Sequence, residues 1–446
     1  MITTSDKLTS RREFLKTSAV LSGALAVPAI LTGNAFAAGS NDTLRVGLVG
    51  CGGRGSGAAG QALRADPNAV LVAMGDAFEE RLQNSLRVLS EPPRNKKSAP
   101  GDQAPSIADQ VKVTPDKCFA GLDAYQKVID SGVDVVLLAS PPGFRPLHLQ
   151  AAVAAGKHIF CEKPMATDVP GLRSVMESAK AAKAKNLALV AGFCWRYDPA
   201  RREFYKRILD GAIGEVRGVH ATYLTSPVKP MPAASTRPAN MSDVKWQVAN
   251  WYNFTWLSGD GLVEQACHSV DKILWAMKDV PPLRCTAGGG RVIPNNEGNI
   301  FDHIDVFYEW ESGVRASMAQ RQISQCHSEN SDYITGATGT GVITRGAVAL
   351  RGATPWRHTG EKKDMYQVEH DELFASIRSG KPINDGDRMA QSTLAALMGR
   401  MAAYTGQEIT WEMALNSQEK LVPDNLTWDM KLPITPMAVP GKTKFI

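Results

Sequence analysis

A lysine and a glutamate stand together at the end of a short apolar stretch, HIFCEKP, at residues 158–164. A lysine ammonium in an apolar site costs several kcal/mol unless it is paired or its pKa falls. Lys163 beside Glu162 therefore has two interpretations. The two residues form either a surface ion pair where a strand reaches solvent, or part of a site where the lysine handles protons. The rest of the chain has to decide between these interpretations.

A second acid–base combination lies in GLVEQACHSVDKILW, at residues 261–275. Glu264 and His268 are four residues apart, so on a continuous helix they would share one face. This spacing fits an exposed ion pair as well as a proton relay. No third metal ligand recurs nearby in the sequence, so the stretch does not predict a metal site.

A glycine-rich turn, LRVGLVGCGGRGSG, follows the first apolar stretch. Gly50, Gly52 and Gly55 have the spacing that lets the backbone approach a pyrophosphate at a helix N-terminus, and Arg54 lies within the same turn. A second predicted strand ends at Asp76, about 20 residues further on, where a carboxylate can accept hydrogen bonds from both ribose hydroxyls. The same carboxylate would repel a 2′-phosphate. The motif therefore predicts NAD as the cofactor, with NADP less favoured.

Two other segments carry candidate ligand contacts. SPPGFRPLH follows an interior strand at the edge of the sheet where ligands bind, so Ser140, Pro141 and His148 are predicted to face the cofactor. His148 fits a packing role equally well.

Aromatic residues recur in GFCWRYDP and NWYNFTW, outside a clear core pattern. Aromatic faces and a few fixed donors suit a polyhydroxylated ring, because the ring stacks through its C–H faces and hydrogen-bonds through its hydroxyls. Arg196, Tyr197 and Trp256 are therefore candidate substrate contacts, although core packing also explains aromatic residues of this kind.

The elements that must position these residues form two groups. Up to Gly192, short apolar runs alternate with helical patterns, which predicts an α/β fold with a doubly wound parallel sheet. Beyond it, longer alternating stretches predict a large, mostly antiparallel open sheet. The predicted organisation is a Rossmann dinucleotide-binding domain at 42–165, its linking helix and sixth strand at 166–192, an α/β substrate domain at 193–420 and an irregular tail at 421–446.

The first 37 residues have the features of an export signal. Arg11 and Arg12 lie in SRREFLK, a modest apolar run follows at 19–31, and a small-x-small cleavage pattern stands at 35–37. Twin arginines of this kind are typical of a Tat signal, which exports folded proteins. We therefore expect a periplasmic protein that leaves the cytoplasm folded and keeps no membrane anchor after cleavage.

Composition narrows the classes of function. The chain has 446 residues, a formal net charge of +5 and no dense run of lysine and arginine. This gives no electrostatic case for a nucleic-acid partner. Seven cysteines in no paired spacing argue against a disulfide framework or a zinc site.

GKHIFCEKP after a Rossmann half, together with the late segment SIRSGKPINDGDRMAQSTLAALMGRMAAYTGQEITW, resembles the Gfo/Idh/MocA oxidoreductases from about residue 44 nearly to 415. The resemblance implies a Rossmann domain followed by an α/β domain whose open sheet covers the nicotinamide and commonly supports homo-oligomers. It implies a small sugar or polyol as substrate. It also implies hydride transfer between a carbinol carbon of that substrate and NAD or NADP.

The same resemblance assigns roles to individual residues. Lys163 matches the lysine that assists proton transfer, Glu162 its neighbour in the family motif, and the bond from Lys163 to Pro164 is usually cis. His268 matches the usual general base. Sugar dehydrogenases of the family commonly have aspartate four residues before this histidine, whereas this chain has Glu264. The extra methylene moves the carboxylate and puts the identity of the substrate in question.

Two other functions compete with a dehydrogenase. A redox-assisted glycoside hydrolase or lyase would oxidise a sugar carbon transiently, eliminate the aglycone and reduce the ring again. NAD-dependent glycosidases of the family carry a histidine motif different from E-x-x-x-H, which disfavours this alternative. A sugar-binding protein that holds a cofactor without turnover is the second competitor, and the presence of Lys163 and His268 disfavours it.

Overall fold

The structure is a computed structural model that describes residues 42–91, 106–293 and 297–446. The predicted export signal at 1–37 lies outside the described residues. None of the helices in the described ranges is both long and apolar enough to cross a bilayer.

The first domain is built on a six-stranded sheet in the order β3-β2-β1-β4-β5-β6, with every pairing parallel. Its central strands are continuous apolar runs because helices cover both faces. This confirms the predicted doubly wound sheet. Its elements are β1 (Leu44–Val49), α1 (Gly53–Ala65), β2 (Ala69–Asp76), α2 (Glu79–Ser90), β3 (Cys118–Ala120), α3 (Ala124–Ile129), β4 (Val135–Leu138), α4 (Arg145–Ala154), β5 (His158–Cys161), α5 (Val169–Ala184) and β6 (Leu189–Ala191).

The second domain contains a nine-stranded sheet in the order β14-β13-β12-β11-β7-β10-β9-β8-β15. Within the described part of the chain, β7 and β10 are its one parallel pair, so the predicted mostly antiparallel sheet is confirmed. The strands are β7 (Val216–Thr225), β8 (Arg284–Gly290), β9 (His303–Glu309), β10 (Arg315–Gln322), β11 (Asp332–Gly336), β12 (Gly339–Thr344), β13 (Ala347–Gly352), β14 (Trp356–Arg357) and β15 (Ile409–Thr410).

Helices cover one face of this second sheet and leave the other open. Alternation along β9 shows the two faces, since Ile304, Val306 and Tyr308 are buried whereas Phe307 is 56% exposed. The helices of this part of the chain are α6 (Pro199–Leu209), α7 (Asp243–Ala249), α8 (Thr255–Ser258), α9 (Gly261–Glu264), α10 (Cys267–Ala276), α11 (Met365–Arg378), α12 (Gly386–Thr405) and α13 (Trp411–Asn416).

The chain returns to the first domain late in the sequence. Helix α11 packs against α1, and its Leu373, Phe374 and Ile377 belong to the same buried cluster as the strands of the parallel sheet. Asn384 pairs with Leu189, the first residue of β6. Part of the later segment therefore completes the hydrophobic core of the first domain.

The final segment, 421–446, has no helix or strand. It nevertheless packs against the molecule. Trp428 lies with its ring centroid 5.8 Å from that of Phe78, just beyond the end of β2, and Gln247 of α7 donates to the Leu432 carbonyl at 2.7 Å. The tail thus contacts both domains.

Candidate active site

A cavity of about 1100 Å³ lies between the two domains and brings the separate sequence motifs together. The glycine-rich turn and the end of β2 line one side. The ends of β4 and β5 line the floor, and segments from the second domain line the other side. Such a crevice at the carboxyl edge of a parallel sheet, where the strand order reverses between β1 and β4, is where this architecture binds ligands.

The glycine turn has the shape that a pyrophosphate needs. Gly50 has φ +94°, and a Cβ at Gly55 would lie 1.8 Å from the Gly50 carbonyl oxygen, so larger residues are excluded at both positions. At Gly52 and Gly53 a Cβ would meet no atom within 4 Å. The missing side chains there leave space above the start of α1, whose first N–H groups have no side-chain cap. The backbone therefore fits the predicted cofactor phosphates.

Asp76 ends β2 at the rim of the same cavity. Its Oδ2 accepts the Cys51 N–H at 2.7 Å and its Oδ1 accepts the Phe78 N–H at 2.9 Å. These two bonds fix the carboxylate beside the glycine turn. Each oxygen keeps a further lone pair, which is what hydrogen bonds from ribose hydroxyls require.

Glu162 is paired with Arg54 rather than with the ammonium of its neighbour. Arg54 Nε lies 2.7 Å from Glu162 Oε1, and the Lys163 backbone N–H donates to Glu162 Oε2 at 3.2 Å. This ion pair connects the glycine turn to the end of β5. The interpretation that Glu162 and Lys163 form a surface ion pair with each other is therefore wrong, because Glu162 already has a cationic partner and is only 4% exposed.

Lys163 is buried and its partner is Glu264, from the second domain. Lys163 Nζ lies 3.2 Å from Glu264 Oε1 and also donates to the Glu264 backbone carbonyl. Burial is the largest single influence and lowers the pKa of this ammonium, but the Glu264 carboxylate together with the other acidic groups nearby, Glu162 among them, outweighs burial and raises the pKa above its ordinary value. Lys163 is therefore a charged lysine at the floor of the cleft. The Lys163–Pro164 bond is cis, as the resemblance implied.

The lysine also explains a break in the stretch 261–275, where one continuous helix would have placed Glu264 and His268 on the same face. In a continuous helix the Glu264 carbonyl would accept the His268 N–H. Lys163 occupies that carbonyl instead, and His268 N–H bonds to the Gln265 carbonyl at 3.4 Å. The segment therefore divides into α9 and α10. Glu264 and His268 both line the cavity, although they do not share one uninterrupted helix face.

His268 lies at the start of α10 among aromatic rings and cations. Its ring stacks on Trp195 with centroids 5.3 Å apart. Burial first, and then the positive charges of Lys163 and Lys272, lower its pKa well below the ordinary value. The imidazole is therefore neutral at physiological pH. A neutral imidazole that faces a cavity next to a charged lysine can accept a proton from a bound hydroxyl.

The structure places Ser140, Pro141 and His148, which the sequence predicted to face the cofactor, in the lining of the cavity. Ser140 Oγ is 2.9 Å from His148 Nδ1. The His148 ring stacks on Tyr125 at 4.2 Å, and burial, with the nearby Arg145, lowers its pKa to about 3. His148 is thus a packed, neutral histidine that also reaches the cavity, which combines both roles considered for it.

Comparison with known sequences agrees with this geometry. Residues 44–192 match the Gfo/Idh/MocA group described as an oxidoreductase family with an NAD-binding Rossmann fold. Residues 202–342 match the C-terminal domain of the same family, so the two matches together take in more than half of the chain. The chain belongs to the Gfo/Idh/MocA oxidoreductase family.

Curated relatives agree with this assignment. Inositol 2-dehydrogenase 4 of Saccharopolyspora erythraea is 31% identical over 191 residues, which are 43% of this chain and 48% of that protein. The chain spans about half the length of the curated relatives that it matches first.

Two solved structures share the fold at 19% identity. Aldose-aldose oxidoreductase from Caulobacter crescentus, complexed with glycerol, has a TM-score of 0.62 over 82% of this chain and 99% of that one. Levoglucosan dehydrogenase, in complex with NADH and levoglucosan, has a TM-score of 0.63 over 83% and 99%. At this level of identity the likeness concerns the fold alone.

Two of the predicted substrate contacts in this Gfo/Idh/MocA protein lie away from the cavity. Arg196 makes a bidentate pair with Asp271 at 2.8 and 3.0 Å and a second pair with Asp279. Tyr197 donates its hydroxyl to Asp385 at 3.0 Å. Both side chains are buried and fully engaged, so the expectation that they contact substrate is corrected: they hold the wall behind the cleft.

Trp256 is likewise set back from the cavity. It is 7% exposed, and its indole N–H donates to Gln247 Oε1 at 2.7 Å. The expected substrate contact at Trp256 is therefore also corrected, since the ring is enclosed between the second domain and Phe144 of the first domain, with ring centroids 6.0 Å apart. Its segment does reach the site, but through the neighbouring Trp251 and Tyr252.

Several lining residues were not singled out from the sequence. Trp195 adjoins Arg196 in the predicted aromatic stretch, yet it is the tryptophan that lies under His268. Tyr223 donates to Gln265 Oε1 at 2.7 Å, and Gln265 Nε2 donates to Glu264 Oε2 at 2.6 Å. These two hydrogen bonds in series hold Oε2 of Glu264, the carboxylate whose other oxygen pairs with Lys163. Tyr223 lies in a strand whose alternating pattern signals only a sheet, so no local feature marked it.

Proposed function

We propose that this protein is an exported NAD-dependent oxidoreductase that transfers hydride between a carbinol carbon of a sugar or polyol and the nicotinamide. The observation that carries the proposal is the Lys163–Glu264 pair beside neutral His268, in a cavity continuous with the glycine turn. A charged donor and a neutral acceptor side by side are what deprotonation of a carbinol needs.

The residues of this chain would divide the work of proton handling. NAD held by the glycine turn and Asp76 would supply the hydride acceptor. His268 takes the hydroxyl proton of the substrate. Lys163 stabilises the negative charge that develops on the same oxygen, because its ammonium is held in place by the Glu264 carboxylate and carbonyl.

The walls of the cavity suit a polyhydroxylated substrate. Trp195, Tyr252 and Trp251 offer aromatic faces, and Tyr223 and Gln265 offer hydroxyl and amide groups. Burial raises the pKa of Tyr223 to about 12, so its hydroxyl stays protonated at physiological pH. Rings for C–H stacking with a few fixed polar groups favour a sugar or polyol over an apolar ligand.

A direct test is to denature the purified protein and identify any released nucleotide by mass and ultraviolet absorption. The protein is then incubated with matched sugars and glycosides. We expect NAD and a carbonyl product whose appearance parallels NADH formation or reduction of a second sugar. Release of aglycone from the glycosides would favour the redox-assisted hydrolase or lyase instead. Nucleotide without any product would favour a binding protein.

Export is proposed from the first 37 residues, which carry the twin arginines Arg11 and Arg12. We predict that changing both to lysine leaves the protein in the cytoplasm, because the Tat pathway reads the arginine pair. Cell fractionation with immunodetection measures this, and the single Arg11→Lys variant is a milder control. Undiminished periplasmic accumulation of the double variant would contradict the proposal.

A homo-oligomer through the open sheet face is also proposed. Phe307 and Tyr333 on that face are 56% and 37% exposed, among ion pairs such as Arg315–Glu309. Apolar side chains within a charged surround fit an interface between copies. Light scattering on the wild type and on Phe307→Asp would give the mass and test this face.

A further inference from the structure

Two cations from different domains meet at one backbone carbonyl on the rim of the cavity. Arg81 of α2 donates from Nη2 to the Ala249 carbonyl at 3.0 Å, and Lys229 donates from Nζ to the same oxygen at 2.8 Å. Ala249 is the last residue of α7. Both cationic side chains also line the cavity.

The carbonyl does not balance these two positive charges. The carboxyl end of a helix offers about half a negative charge, and α7 has seven residues. Among the described residues, no carboxylate lies within ion-pair distance of Arg81 or Lys229. Burial first, and then repulsion by Arg81, lowers the pKa of Lys229 to about 8. Each side chain keeps further N–H donors beyond the one given to Ala249.

The surroundings place this excess charge within reach of a ligand in the cleft. The Arg81 guanidinium lies 4.6 Å from the centroid of the Phe78 ring, and Phe78 donates its backbone N–H to Asp76. Val248 and Trp251, on either side of the Ala249–Asn250 turn, line the same cavity. The two cations therefore stand between the end that fits the cofactor and the wall of the second domain.

We propose that Arg81 and Lys229 form a subsite for a carboxylate or phosphate group of a ligand bound in the cleft. The inference rests on the proposed function, since it names an acidic group on one of the two ligands of that reaction. Two uncompensated cations, partly removed from water and converging across a domain boundary, favour an anion with at least two oxygens.

Two sources could supply that anion. One is a phosphate on the adenosine ribose, as in NADP, and the other is an acidic substituent of the sugar or polyol. Asp76 lies beside the expected ribose site and would repel a 2′-phosphate. The observations therefore favour an acidic sugar, and the experiment separates the sources.

The experiment is a calorimetric titration of the full-length protein, saturated with NAD, with inorganic phosphate at pH 7. The variants are Lys229→Met, Arg81→Gln and Lys229→Arg, with Lys245→Met as a matched control on the exposed side of α7. We expect saturable binding that weakens about tenfold or more when Lys229 or Arg81 is neutralised. Binding should persist in Lys229→Arg and Lys245→Met, and should weaken as pH rises through about 8, where Lys229 loses its proton.

Repeating the titration with NADP in place of NAD identifies the source. Loss of phosphate binding, together with weaker NADP affinity in Lys229→Met, assigns the subsite to the cofactor. Undiminished phosphate binding, together with a loss of kcat/KM in Lys229→Met for a hexuronate but not for the matching hexose, assigns it to the substrate. Absence of saturable binding, or equal affinity in wild type and Lys229→Met, overturns the subsite. The NAD titration on the same samples tests the cofactor separately, so failure of the subsite leaves the proposed function standing.

Discussion

The two walls of the cleft bind in different ways. The wall of the first domain is formed by backbone: Gly50 and Gly55 permit close approach, and backbone amides fix Asp76. The wall of the second domain is formed by charged and aromatic side chains, with Glu264 and His268 meeting Lys163 from across the cleft. Ligand binding at the first wall depends on the absence of side chains at the glycines. The chemical properties of the second wall depend on how its buried charges are balanced.

This difference separates cofactor binding from chemistry. A backbone cradle tolerates no added Cβ at its tight positions but has no group that titrates near neutral pH. Where the second wall meets Lys163, an ammonium and an imidazole face each other with pKa values that move in opposite directions, upward for Lys163 and downward for His268 of the second wall. We therefore expect substitutions on the two walls to change different constants.

The largest effect is expected for the proton-handling pair. Lys163→Met and His268→Ala should each lower kcat by about 10²–10⁴, since each removes a group that acts in general acid–base catalysis. NAD affinity should hardly change, because the backbone wall is untouched. Steady-state turnover and NAD titration measure the two quantities. The double variant should be little worse than the poorer single one, because groups that act as a unit are not additive. Near-normal turnover of either single variant would remove that residue from the mechanism.

Substitution of Arg196, in the wall behind the cleft, should change the stability of the protein rather than its binding of substrate. Arg196→Ala leaves the buried Asp271 carboxylate without its bidentate partner, which typically costs about 3–5 kcal/mol in free energy of unfolding. Denaturant unfolding measures this, and KM of the folded fraction should stay unchanged. Lys206→Ala, which removes an exposed pair with Asp210 at the end of α6, is the matched control with little expected change. If the Arg196→Ala protein is as stable as the wild type but has a raised KM, Arg196 contacts the substrate and the structural role is wrong.

Glu264→Gln tests the charge balance within the second wall. The folded pKa of Lys163 is raised by this carboxylate against the effect of burial, so removing the charge should lower that pKa. The ammonium would then be lost at lower pH, and the alkaline limb of the kcat profile should move toward neutral pH. At pH 7 we expect about a tenfold fall in kcat. Glu264→Asp keeps the charge, and its alkaline limb should stay nearer to that of the wild type. An unmoved limb in Glu264→Gln would show that Lys163 is kept charged by other groups.

The smallest effect is expected on the backbone wall. Asp76→Ala removes the acceptor for ribose hydroxyls and the repulsion of a 2′-phosphate. NAD affinity should fall about tenfold, while NADP affinity should fall less or rise. Fluorescence or calorimetric titration with both nucleotides gives the ratio. Tighter binding of NADP than of NAD by the wild type would show that Asp76 does not select the cofactor.

The sequence by itself determined much of this protein. Apolar runs and alternating apolar and polar residues predicted both sheets, because the two-residue period of strands and the 3.6-residue period of helices can be seen within a short stretch of sequence. The glycine turn, Asp76, Lys163 and His268 were found from motifs of a few residues, and the structure places them all around one cavity. The predicted alternation of strands and helices was confirmed for the first domain, whereas the single helix considered for Glu264 and His268 breaks between α9 and α10.

Tertiary structure alone decided which partner each charged group has. Lys163 was next to Glu162 in sequence, yet its carboxylate partner is Glu264, 101 residues away. The same long-range contact interrupts the helix before His268. In the two aromatic segments, Trp195 and Tyr252 line the cavity, whereas the predicted contacts Arg196 and Trp256 do not. Local patterns specify which stretch reaches a site, but side-chain partners depend on burial and on distances between segments that exist only once the chain is packed.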